Sequence, residues 1–111
     1  MTAKVNEYQI RFADLHFKNL RLGIIKELCG VETIEDVEEF KKEFGLPLMK
    51  FLTTDGSFKL TANYCSNIKK QLEGVYIHRP INQKEYNQIL DMLRNALSEA
   101  VNQKASLEFI E

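Results

Sequence analysis

The side chains able to do covalent or metal chemistry are few in this sequence and lie far apart. His16 and His78 are the only histidines, and Cys29 and Cys65 the only cysteines. Neither histidine has a Cys, Asp or Glu at ligand spacing, so a metal site would need donors from distant segments. Both cysteines fall on the apolar side of a helical pattern, where a thiolate is unstable, and nothing near Cys65 in sequence would lower its pKa. Two buried thiols are expected rather than a disulfide or a redox pair. The stretch "TTDGSFKLTANYC", residues 53 to 65, opens like a calcium loop. With Gly56 sixth, however, an EF-hand would have Phe51 as its first ligand and Ala62 as its twelfth, so two essential oxygens are missing. There is no Gly-rich phosphate loop. No catalytic residue, cofactor or metal is expected, and the chain reads as a non-enzyme.

What remains is charge. In "TIEDVEEFKKEFGLP" the apolar positions Ile34, Val37, Phe40 and Phe44 make one helix face. Glu32, Glu35, Asp36, Glu39 and Glu43 fall on the other, diluted only by Lys41 and Lys42. Such a stripe is either a solvated face or a docking surface for a basic partner. In the second case it would speed association more than it deepens affinity. Glu35, Asp36, Glu39 and Glu43 are the candidate partner-binding residues. A second feature, "IHRPIN", brings His78 and Arg79 to the start of the last helix, where unpaired N–H groups can meet an anion. Its plainer reading is an extended segment entering a helix. A small-ligand pocket would have to be assembled from Tyr64, Tyr76, His78 and Arg79.

The elements that must hold these residues follow from period. Residues 5 to 12 alternate, with Tyr8, Ile10 and Phe12 on one side, as a half-buried strand does. From Phe17 the spacing becomes helical through Leu20, Ile24 and Leu28, widened by Leu22 and Ile25, and Gly30 is a stop; this helix is expected to be the most buried. Thr33 caps the acidic helix with Asp36 at its third position, and Gly45 and Pro47 end it. The run "LMKFL", 48 to 52, fits a buried strand by its length. Asp55-Gly56 then makes a bend, either a two-residue hairpin setting Thr53 against Phe58 or a looser strand-turn-helix connection, with Gly56 at positive φ. A helix from Thr61 to Gly74 carries Tyr64, Cys65, Ile68 and Leu72, and residues 75 to 77 can be extended. Asn82 and Glu85 form a capping box for the last helix, with Ile81 and Tyr86 as its staple. The apolar arc of that helix runs Tyr86, Ile89, Leu90, Leu93, Ala96, Leu97, Ala100 and Val101. The tail "SLEFIE" either pairs as an edge strand with residues 5 to 12 or frays.

These elements predict an α+β fold, predominantly helical, with about four helices and a small antiparallel sheet or hairpin, in one domain over residues 1–111. The length of 111 residues allows one closed core, and the composition, 44% hydrophobic and 28% charged, is that of a globular chain. A net charge of -1 argues against a nucleic-acid or anionic-membrane partner held by a strong basic field. No apolar run reaches the roughly 20 residues of a membrane span, and the N-terminus has no continuous apolar region of a signal peptide. The expected compartment is the cytoplasm.

The segment "DGSFKLTANYCSNIKKQLE", with Asp55, Gly56, Phe58, Cys65, Ile68, Leu72 and Glu73, resembles a pattern in immunity proteins of bacterial polymorphic toxin systems. There an Asp-Gly turn leads into a helix bearing a Cys, then Ile or Leu, then Leu-Glu. Those chains also close with a long helix and a short Glu-Phe tail, here "EAVNQKASLEFIE". The similarity spans about the last two-thirds of the chain. Where such relatives often carry a His-Ser-Asp run before the Asp-Gly, this sequence has Phe51, Leu52 and Thr53. The resemblance implies a cognate toxin as partner, neutralised by covering its active or substrate-binding surface, and the acidic face would suit the basic groove of a nuclease. The alternative is a regulatory or adaptor module that dimerises through its C-terminal helix, so the chain is expected as a monomer or a homodimer.

Overall fold

The computed structural model describes residues 1–111 as an α+β fold, four α-helices packed on a four-stranded antiparallel sheet. The strands are β1 (Thr2–Val5), β2 (Tyr8–Arg11), β3 (Phe58–Leu60) and β4 (Leu107–Ile110), in the order β2-β1-β4-β3. The helices are α1 (Asp14–Cys29), α2 (Lys41–Thr53), α3 (Ala62–Gln71) and α4 (Gln83–Gln103).

The expected strand over residues 5 to 12 is in fact the second half of a hairpin. Val5 pairs with Tyr8 across a two-residue turn in which Asn6 takes a φ of 50°, a conformation Asn tolerates better than most residues. The C-terminal tail is a strand, but a central one: β4 pairs with β1 on one side, not with β2, and with β3 on the other. Alternation then sorts the sheet's faces. Ala3, Val5, Leu60, Leu107 and Phe109 point into the core. On the outer face the register lines up Gln9, Lys4, Glu108 and Lys59, the last two ion-paired at 3.7 Å. A solvated row of this kind leaves only one face to bury.

The core is one cluster of 26 buried apolar residues. At its centre Phe17, Phe51, Phe58 and Phe109 pack ring to ring, with centroids 4.7 Å apart for Phe58 and Phe109 and 5.5 Å for Phe17 and Phe109. Helix α4 contributes most: seven of its arc residues are buried and Val101 is half-buried. It exceeds α1, whose buried residues number five, against the expectation that α1 would be the most buried. The reason is geometric, since α4 lies between α3 and the β1–β2 hairpin and also touches α1.

Three further expectations are corrected. The acidic segment is not a helix ended at Gly45 but a 3-10 stretch, Glu35–Phe40, running into α2. Gly45 breaks α2 with φ 80° and ψ 171°. The chain then restarts as helix, with Pro47 in the new first turn, where a missing N–H costs nothing. "LMKFL" is therefore helical, its buried residues Leu48, Met49, Phe51 and Leu52 falling at helical spacing. Second, no hairpin forms at Asp55-Gly56, because Thr53 closes α2 and β3 pairs only with β4; Gly56 does take φ +70°. Third, Asn82 is left-handed with no side-chain cap bond, and Ile81 is 68% exposed, so neither capping box nor staple forms at α4. Thr61, by contrast, caps α3 by accepting the Tyr64 N–H at 3.2 Å.

Residues 75 to 79 have no regular structure, and α4 holds them by side chains. The Asn87 amide donates to the Ile77 carbonyl and accepts the Ile77 N–H, both at 2.9 Å. Ile77 then lies against Gly23 of α1, where an added Cβ would come within 3.1 Å of Ile77 Cγ2. That close approach is why α1 tolerates a mid-helix glycine.

Candidate functional site

The acidic segment begins at Thr33, whose hydroxyl donates to the Asp36 carboxylate at 2.8 Å and accepts the Asp36 N–H at 3.4 Å. With about three residues per turn, 3-10 side chains at i and i+3 eclipse. Val37 and Phe40 form the inner column, Val37 fully buried and Phe40 stacked toward Phe44 at 6.0 Å. Glu35 stands over Glu38 and Asp36 over Glu39, and all four are exposed, as is Glu43 on α2. Glu38 joins the acidic face although a 3.6-residue period puts it to one side; the 3-10 winding brings it in. Of the acids in this region only Glu32 finds a cation, Lys26 at 3.6 Å. Stacked like charges are mildly unfavourable, and part of that is offset because the acids precede the positive end of α2. Leu46, just past the Gly45 break, is 58% exposed and borders the same stretch of chain.

The residues considered for a small-ligand pocket are only partly brought together. Tyr76 and His78 stack edge to face at 5.0 Å, and Arg79 lies 4.0 Å over the Tyr86 ring. Tyr64 is elsewhere, its ring near Lys50. His78 and Arg79 line a cavity of about 210 Å³ with Asn19, Lys26 and Glu32, smaller than the roughly 300 Å³ at which ligand pockets usually begin. His78 is already engaged, for its Nδ1 and its backbone N–H both meet Glu27 Oε1 at 3.1 Å. Burial raises the Glu27 carboxyl, but the His78 bonds and the His78 and Lys26 charges outweigh it and leave the pKa lowered. His16 pairs with Glu85 at 3.3 Å. No group of three or more His, Cys, Asp or Glu comes together to hold a metal ion. Cys65 is fully buried and its thiol is pushed up to about 11 by desolvation. Cys29 is half-buried, and burial together with the Glu43 charge raises it as well.

A different residue stands out once the chain is folded. Arg21 of α1 is only 7% exposed. Its guanidinium carbon lies 4.5 Å from the Phe17 ring centre, 5.3 Å from Phe58 and 5.7 Å from Phe51. Its Nε and Nη2 are buried without a hydrogen-bond partner. Burial pulls its pKa down to about 10 despite the nearby Asp55 charge, so it is cationic at neutral pH. Arg21 lines a cavity of about 340 Å³ with Phe17, Lys18, Ile34, Asp55 and Glu111. Asp14 and Met1 complete the rim, bonded to each other at 3.2 Å. Spacing held a signal: position 21 is four residues from both Phe17 and Ile25, on the buried stripe of α1. The aromatic cage could not be foreseen, because Phe51 and Phe58 arrive from 30 or more residues away.

No family model matches the chain, and no curated protein or solved structure matches it. No helix is long and apolar enough to cross a membrane.

Proposed function

We propose that the chain is a non-enzymatic protein-binding protein, an immunity-type inhibitor that neutralises a cognate bacterial toxin in the cytoplasm by covering its active surface. Glu35, Asp36, Glu39 and Glu43 are its contacts, joined by Glu38. One observation carries the reading: this run of exposed carboxylates has no cation of its own within ion-pair distance, with a solvent-facing Leu46 close by in sequence. Elsewhere the chain pairs several of its acids internally, Asp91 with Arg94, Glu108 with Lys59 and Glu27 with His78. A basic surface on the partner, such as the substrate groove of a nuclease, would supply the missing counter-charges and steer the encounter.

The alternative of an adaptor that pairs through α4 draws no support from the packing, because the apolar arc of that helix is used in the chain's own core. Co-expression with the product of the adjacent gene, followed by affinity capture, tests the inhibitor reading. A complex whose yield falls as salt rises is expected. Absence of a complex with a soluble, folded neighbour product would overturn it.

A further inference from the structure

A lone buried cation calls for an explanation, because an unpaired charge away from water is among the costliest features a fold can carry. The three phenyl faces around Arg21 offset part of that cost through cation–π attraction. They act on the faces of the guanidinium, however, whereas its N–H donors lie in its plane. In that plane Nε and Nη2 are unserved, and none of the ion pairs of the fold includes Arg21. A methionine or leucine at position 21 would fill the same aromatic cage without the penalty.

The cavity narrows what the acceptor can be. A carboxylate matches the planar fork of arginine. The walls also carry Asp55 and Glu111, neither of them ion-paired, which would repel a multiply charged anion such as phosphate. Set against Arg21 and Lys18, with Asp14 bonded to the amino terminus, they leave the cavity close to neutral but with its charges apart. Phe17 and Ile34 add an apolar wall, and about 340 Å³ suits a ligand of few heavy atoms.

We propose that this cavity binds a small zwitterion of the α-amino-acid class, its carboxylate on Arg21, its ammonium towards Asp55 and Glu111, and its side chain on Phe17 and Ile34. The inference is independent of the inhibitor reading and rests on different residues.

Titration calorimetry and amide chemical shifts on the full chain, with the twenty α-amino acids as probes, test it. At least one is expected to bind saturably, with shifts concentrated at residues 17 to 21, 34 and 55. The matching carboxylic acid without the amino group, and the matching amine without the carboxylate, should each bind roughly tenfold more weakly or worse. Arg21→Met should abolish binding, and Asp55→Asn, on an exposed loop where the fold is not at risk, should weaken it by roughly tenfold. Three results would overturn the proposal: no saturable binding by any amino acid, inorganic phosphate binding as tightly as the best amino acid, or an Asp55→Asn variant with unchanged affinity.

Discussion

Arg94 and Arg21 are both arginines held largely out of water on long helices, and they meet opposite surroundings. Arg94 is fully engaged: Nη1 donates to Asp91 at 2.9 Å, and Nη2 to the carbonyls of Leu72 at 2.8 Å and Val75 at 2.6 Å. Asn87 does the same for Ile77, and Asn19 donates to the Tyr86 hydroxyl at 2.9 Å. On that side of the molecule the polar side chains close the structure. On the side formed by Arg21, the Asp55 loop and the Glu35–Glu43 segment, the donors and the charges point to nothing within the chain. Local rules are kept in one region and broken in the other, and departures of that kind tend to mark working surfaces.

The sharpest way to break the comparison is to remove both arginines in turn. Arg94→Ala strands two carbonyls and should cost about 3 kcal/mol in urea unfolding. Arg21→Met should stay within about 1 kcal/mol of the parent in either direction, since it exchanges an unpaired buried charge for a side chain of similar reach. Equal losses would mean that Arg21 is as structural as Arg94.

The cysteines give a second contrast. Cys65, deep on the closed side, has its thiol raised from 9.0 to about 11. A raised pKa means that the folded state holds the proton longer than the unfolded chain. The corresponding stability is therefore complete below pH 9 and lost as pH climbs to about 11, a change of about 2–3 kcal/mol. Unfolding measured across that window should show the loss, and Cys65→Ala should remove its share of the slope. Cys29, half-buried beside the acidic segment, should contribute less to it.

Gly56→Ala tests the loop that borders the Arg21 cavity. An added Cβ meets only the Glu111 carboxylate, at 3.6 Å, so no clash opposes it. The φ of +70° is the whole cost, about 1 kcal/mol by thermal melting. An unchanged melting temperature would show that the loop adapts.

Much of this fold was legible in the sequence because the signals were long and periodic. The four-turn arc of α4, the stripe of α1 stopped by Gly30 at φ 72° and the Thr61 cap each follow from local chemistry. Short signals did worse. "LMKFL" satisfies a buried strand and a helix equally, and Pro47 before it reads as a terminator when it is an initiator. Nothing within "MTAKV" marks a strand, since β1 exists only because β2 and β4 flank it. The acidic face was visible from period alone, apart from Glu38, which depends on 3-10 winding. Arg21 was hidden for a different reason: a charge inside an apolar stripe normally turns its head to water, and here three distant phenylalanines prevent it.

The smallest expected change in stability carries the largest functional weight. Replacing Glu35, Asp36, Glu39 and Glu43 together by lysine should alter folding stability by less than about 1 kcal/mol, because the four are exposed and unpaired. Capture of the adjacent-gene product by this fourfold variant, beside the parent chain at the same salt, is the most direct test that the acidic segment is the working surface. The expected result is a variant that melts like the parent and captures nothing. A variant that melts like the parent and still captures its partner undiminished would contradict it.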